Sequence, residues 1–116
     1  MQNPYVDCIG HLTGRRIGKR PPRDVDVERV IEAALATGTL LEINGQPDRL
    51  DLRDVHARAA KEAGLKLVVT SDGHEVRSQG YVELAVAQAR RGWLAKGDVA
   101  NTRTWKQLDA LRKKRP

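Results

Sequence analysis

The sequence predicts an α/β fold in which three consecutive βα units form part of a parallel sheet and a final helix follows them. Three observations lead there. Apolar runs of strand length alternate with segments of helical period, in the order β-α-β-α-β-α. The connections after the first loop are short, as expected for right-handed crossovers between neighbouring parallel strands. The third apolar run, Leu67-Val68-Val69, is continuous rather than alternating, which predicts a strand covered on both faces.

Val6 to Ile9 reads as the first strand, and the Gly- and Pro-containing stretch from Gly10 to Arg23 reads as a long loop. Asp26 is placed to cap a helix in which Val27, Val30, Ile31, Ala34 and Leu35 share one face, and Gly38 ends it. Leu40 to Asn44 is the second strand, followed by a turn over Gly45-Gln46-Pro47-Asp48. Asp51 is expected to cap a helix from about Leu52 to Ala63, buried through Leu52, Val55, Ala59 and Ala63 and stopped by Gly64. The third strand, Lys66 to Thr70, follows directly. A third helix over about Gln79 to Arg91 groups Val82, Ala85, Val86 and Ala89 and stops at Gly92. Thr104 and Gln107 stand in capping-box register at the start of the last helix, whose Trp105, Leu108 and Leu111 are expected to face inward.

The 116 residues fit one domain, residues 1–116, with a modest core. No apolar run is long enough to span a bilayer, and Met1-Gln2-Asn3-Pro4 carries no secretory pattern, so a membrane role is not expected. The single cysteine, Cys8, excludes an intrachain disulfide and fits a reducing, cytoplasmic setting; it reads as a small buried hydrophobe. A formal charge of +6 points to polyanionic partners. Two clusters dominate it: Arg15-Arg16 with Lys19-Arg20, and the tail Arg112-Lys113-Lys114-Arg115, which can equally serve as a solvated helix end. With no Phe, two Trp and two Tyr, base stacking is a poor route to nucleic acid.

His11, Asn44 and Asp72 to His74 all fall just beyond the carboxyl ends of the three expected strands, the functional face of βα architectures. Asp72 and His74, two residues apart, can aim a carboxylate and an imidazole at one centre, and mixed nitrogen and oxygen donors suit Zn²⁺, Mn²⁺ or Fe. His11 on the same face strengthens a metal reading. His56, in mid-helix with no partner at ligand spacing, is set aside as an exposed or satisfied histidine. Arg15 and Arg49 are candidate phosphate contacts, because a guanidinium fork matches phosphate oxygens; Arg49 can equally pair with Asp48 or Asp51. Glu42, inside a strand, has an open role. Thr13, Gly14 and Gly18 suggest a loop around an anion without forming a phosphate-loop motif.

Four segments together resemble a known family: Ile9-Gly10-His11-Leu12-Thr13-Gly14-Arg15, Leu41 to Leu52, Val69-Thr70-Ser71-Asp72-Gly73-His74, and Ala89-Arg90-Arg91-Gly92-Trp93-Leu94. In this order they resemble the C-terminal part of the polymerase-and-histidinol-phosphatase (PHP) domain, in the version found at the end of bacterial family X DNA polymerases. The resemblance covers nearly the whole chain. It implies part of a distorted seven-stranded βα barrel with metals at the strand ends, His11, Asp72 and His74 among their ligands, and Arg15 and Arg49 near the phosphate. The implied activity is metal-dependent phosphoester hydrolysis; in the polymerase-linked branch this is 3′→5′ exonuclease trimming of DNA ends in repair, with Mn²⁺ or Zn²⁺ as cofactor. Asp72 and His74 are then the catalytic candidates.

The family's early His-x-His pair and its intermediate Glu and His ligands have no counterpart here, and Leu12, Ser71 and Gly73 replace its usual proline, threonine and alanine. With most ligands missing, a metal cluster held by this chain alone is expected to be weak. Three strands are also too few to close a barrel. The chain is therefore expected to be a fragment, or a protomer completed by the missing N-terminal barrel half or by self-association, with DNA as a partner of the intact protein. The alternatives are a histidinol-phosphatase-like enzyme of small substrates and a non-catalytic DNA-binding or interaction fragment.

Overall fold

Strand β1 (Cys8–Ile9), helix α1 (Val27–Thr37), β2 (Leu40–Asn44), α2 (Asp54–Glu62), β3 (Leu67–Thr70), α3 (Val82–Arg91) and α4 (Trp105–Asp109) follow one another in a computed structural model that describes residues 1–116. The three strands form one parallel sheet in the order β1-β2-β3. Sequence order equals spatial order, so every crossover steps in the same direction. With right-handed crossovers this places α1, α2 and α3 on a single face.

The packing agrees. Parallel register pairs Leu41 with Leu67 and Ile43 with Val69, so these side chains share a face. They are buried with Ile31 and Ala34 of α1, Ala57 and Ala60 of α2, and Ala85 and Ala89 of α3 in one cluster. None of Cys8, Leu40, Glu42, Asn44, Val68 or Thr70, on the opposite face, belongs to it. The expected double coverage of β3 is therefore corrected: Leu67 and Val69 are buried, and Val68 and Thr70 only partly. Cys8, expected inside, is exposed on the edge strand.

The helices dock through alanines, which lets their axes approach the sheet closely. This choice of face overturns part of the periodicity. Val55 on α2 and Val82 and Val86 on α3 are exposed, as is Leu35 on α1, while Ala57, Ala60, Ala85 and Ala89 face the core. Side-chain size favours the valines; close packing favours the small residues. Trp105 is also corrected: α4 spans only five residues and leaves that indole 68% exposed. The predicted caps hold for α1, where Asp26 accepts from the Arg29 amide and Gly38 is left-handed at φ +63°, and for α4, where Thr104 and Gln107 form the capping box.

Asp51 does not cap α2. That helix begins three residues later, at Asp54, behind Arg53. Asp51 is fully buried instead, and its Oδ2 accepts the Thr13 amide (3.0 Å), the Thr13 hydroxyl (2.8 Å) and the Gly14 amide (3.0 Å). Its backbone pairs with Asn44 in both directions, closing the 45–50 loop on itself. The third helix also starts late, after a 3₁₀ turn over Arg77–Tyr81 that contains the expected first residue, Gln79.

The outer edge of β3 is covered, because Asn101 pairs with both the amide and the carbonyl of Val69 (3.0 and 2.7 Å) and Val99 bridges to Leu67. Beside β1, Asp7 accepts from Arg112, Arg115 and the Lys113 amide, which ties the basic tail to the start of the chain. No helix is long and apolar enough to cross a membrane.

Replacing Asp51 with alanine leaves two buried amides and a hydroxyl without their acceptor. Urea denaturation is expected to show a loss of about 2–4 kcal/mol, and a loss below about 1 kcal/mol would contradict the role given to this carboxylate. His56 supplies a second test. It is half-buried with Nδ1 enclosed and unpartnered, and burial, reinforced by Arg53, holds its pKa below the ordinary 6.5. The unfolded chain therefore takes up a proton near pH 6.5 before the folded one does, so stability is full above that pH and falls as pH drops toward the folded value. Thermal melts at pH 7.5 and 5.5 should show this drop, and His56→Gln should reduce it.

Candidate functional site

The carboxyl ends of the three strands carry the predicted residues, and their backbone is unusual there. His11 and Asp72 both adopt positive φ, +28° and +50°, which few non-glycine residues do. Neighbouring groups hold each of them in place.

At the end of β1, the His11 amide donates to Glu42 Oε2 at 2.5 Å, and the ring Nδ1 lies 3.8 Å from the same oxygen. Glu42, whose side chain is 12% exposed, also accepts from Thr70 Oγ1 at 2.6 Å and from Asn44 Nδ2 at 3.3 Å. The carboxylate whose role the sequence left open thus links all three strand ends. A lone acid among Leu40, Leu41 and Ile43 is its only sequence signal.

At the end of β3, Gln46 Nε2 donates to the carbonyls of Ser71 (3.2 Å) and Asp72 (2.8 Å), and the Gly45 amide donates to Thr70 O (2.9 Å). Gly45 has no room for a side chain, since a Cβ there would stand 2.1 Å from Tyr81 O. His74 Nδ1 faces the Asp72 carbonyl at 2.8 Å. With the proton on Nδ1, this contact keeps the Nε2 lone pair free and fixes the ring, the arrangement metal-binding histidines use. The Asp72 carboxylate accepts no hydrogen bond from the protein; its oxygens lie 4.0 Å from His74 Nδ1 and 3.9 Å from Arg49 Nε.

Asp72, His74, Arg49, Gln46 and Arg16 line one polar groove of about 600 Å³. Arg49 lines it, with Nε toward Asp72 and Nη1 enclosed by the protein. A guanidinium beside a carboxylate that accepts no hydrogen bond suits an incoming anion bridged to that carboxylate by a cation.

Two candidates lie elsewhere. His11 stays with Glu42 and does not line this groove. Arg15 donates to the carbonyls of Arg49 (2.6 Å) and Leu50 (2.7 Å) and lines a separate groove with Arg53, Asp54 and Gln88, so it braces the loop that carries Arg49. No three His, Cys, Asp or Glu side chains gather into a metal-holding group. The donors are of the right chemistry for a divalent metal, but the chain offers them as two pairs, His11 with Glu42 and Asp72 with His74.

The comparisons with known proteins add the context. No known family profile matches the chain. The DNA polymerase/3′-5′ exonuclease PolX of Bacillus subtilis (strain 168) is 40% identical over 114 residues, covering 98% of this chain and 20% of PolX, at its C-terminal end. The chain is a relative of the C-terminal part of PolX. The PHP resemblance read from the motifs is thereby borne out. Probable phosphatases of Thermoanaerobacter sp. (strain X514) and Caldanaerobacter subterraneus are 31% and 32% identical over 121 residues and are consistent with a PHP-type domain. The chain spans about a fifth of PolX and about half of each phosphatase.

The link that Glu42 makes can be tested locally. Glu42→Ala is expected to speed hydrogen exchange at the His11 amide at least about tenfold, with a smaller change at Ile43 in the strand interior. Equal changes at both positions would mean that Glu42 serves general stability rather than the strand-end loops.

Proposed function

We propose that this chain is the C-terminal part of a PHP-type phosphoesterase whose substrate is the 3′ end of DNA, the exonuclease reaction named for PolX. The observation that carries this reading is the groove in which the Asp72 carboxylate, free of hydrogen bonds, stands beside His74 and the Arg49 guanidinium. The sheet supports placement in a barrel, since strands in sequential order with helices on one face are what a segment of a βα barrel wall provides. The remaining barrel wall, from the preceding part of a longer polypeptide or from a partner, is proposed to complete the site.

His11, Asp72 and His74 would hold Mn²⁺ or Zn²⁺ together with donors from that remaining wall. A bound metal of this type supplies hydroxide at neutral pH and neutralises phosphate charge. The chain's own residues do the positioning. Arg49 donates to the phosphate oxygens, the Asp72 carbonyl holds the His74 ring with Nε2 outward, and Glu42 sets His11 at the neighbouring strand end. Gln46 ties the loop that carries Arg49 to the backbone of Ser71 and Asp72. The phosphatase relatives favour a second reading, a small phosphomonoester substrate, for the same residues.

Asp72→Asn keeps the shape of the side chain and removes its charge. In the complete native assembly it is expected to lower Mn²⁺ affinity at least about tenfold, measured by titration calorimetry, and to abolish shortening of a 5′-labelled oligonucleotide. Undiminished shortening by this variant overturns the site assignment. Hydrolysis of p-nitrophenyl phosphate without any shortening of DNA would transfer the assignment to the small-substrate reading.

A further inference from the structure

The two basic clusters that the sequence singles out differ in what the structure places beside them. In the C-terminal cluster, Arg112 and Arg115 pair with Asp7, Arg112 also pairs with Asp109, and Lys113 Nζ donates to the carbonyls of Met1 and Asn3. Three of its four cations are thus held by the protein itself.

The 15–23 segment is engaged in part as well, Arg15 by the carbonyls of Arg49 and Leu50 and Arg20 by that of Gly14, and what sets it apart is its place at the groove. Arg16 and Arg20 bridge to each other across a tight turn, with the Arg16 amide 2.9 Å from Arg20 O. The turn is docked on the loop that carries Arg49: the Ile17 amide donates to Asp48 O at 2.5 Å, and Arg16 pairs with the Asp48 carboxylate at 2.6 Å. Arg16 also lines the groove of Asp72 and Arg49. Lys19, Arg20 and Arg23 form no ion pair; Arg20 Nε and Nη2 donate instead to the Gly14 carbonyl at 3.0 and 2.7 Å, which leaves Lys19 and Arg23 as the cations of the turn without a side-chain partner. Lys19, Arg20 and Arg23 are exposed, and Ile17 is exposed at the turn.

We infer that the Arg16–Arg20 turn, with Arg23 beside it, is a docking surface for the phosphodiester backbone of a nucleic-acid strand whose end lies in the Arg49 groove. This rests on the phosphoesterase reading only for the position of the strand end. A small phosphomonoester is fully served by Arg49 in the groove and leaves the outer cations without use. A polymer presents further phosphates beyond the one being held, and unpaired cations continuing from the rim at Arg16 meet them. The contact is electrostatic and indifferent to sequence, since the turn offers no aromatic platform and no element shaped for a groove of duplex DNA.

Its signature is the salt dependence of binding. Fluorescence anisotropy of the full chain with labelled single-stranded DNA and RNA, without metal and over a series of salt concentrations, reads it directly. Removing two phosphate contacts with Lys19→Gln/Arg23→Gln is expected to reduce the slope of log affinity against log salt by about 1.4 on a single strand, equally for different base sequences. Lys19→Glu alone, at an exposed position without side-chain partners, should weaken binding in the same direction. Lys106→Gln/Lys114→Gln removes equal charge from the C-terminal segment and should leave the slope unchanged. An equal drop from both double variants, an unchanged slope in the loop variant, or no salt-dependent binding by the unaltered chain overturns the inference. Salt-dependent binding by the unaltered chain together with absent hydrolysis by the unaltered complete assembly would remove the phosphoesterase reading while leaving this surface in place.

Discussion

The buried carboxylate of Asp51 is the contact on which the working end of this chain depends. Its backbone pairs with Asn44 on both sides of the 45–50 loop, and its Oδ2 gathers the amides of Thr13 and Gly14. One residue thereby fixes the end of β2, the loop after it and the loop after β1. Arg49 reaches Asp72 because that loop is closed, and Arg16 reaches Asp48 because the first loop is held down at Thr13. A buried carboxyl group whose Oδ2 accepts three hydrogen bonds in a low-dielectric setting is costly to disturb, which makes it a firm anchor for exposed polar loops.

The sheet adds a second constraint. Its apolar side chains serve one face, where alanine-lined helices approach closely, and its other face carries Glu42, Asn44 and Thr70. A polar face is tolerated because these groups bond to one another and to the His11 amide. The bond to Glu42 holds His11 at positive φ after β1, and Gln46 holds Asp72 at positive φ after β3. Local strain, a shared carboxylate and donors with free lone pairs thus coincide at the carboxyl edge of the sheet, where βα folds place their chemistry.

Charge follows a related logic. Counting Lys and Arg identifies a basic protein but not which cations are available. Asp7 neutralises much of the C-terminal cluster and ties it to the chain start, whereas the loop cluster beside the groove keeps Lys19 and Arg23 without side-chain partners, Arg20 being held by the Gly14 carbonyl. Availability, rather than density, separates the surface that can meet phosphates from the one that holds the fold together.

Sequence alone determined the βα order, the caps at Asp26, Gly38 and Thr104, and the positions of His11, Asp72 and His74 just past the strand ends, because these depend on local periodicity and short-range hydrogen bonds. It also carried the PHP resemblance, which rests on residue identities. It misassigned Asp51, Val55, Val86, Cys8 and Trp105, since whether an acid caps a helix or anchors a distant loop, and which helix face packs inward, depends on partners far away in the chain. Only the tertiary structure decided that Arg49 and Arg16 join Asp72 and His74 in one groove while Arg15 braces a loop and His11 stays with Glu42. Those outcomes turn on ångström-scale distances between segments some 30 residues apart, set by long-range packing and not encoded in any local pattern.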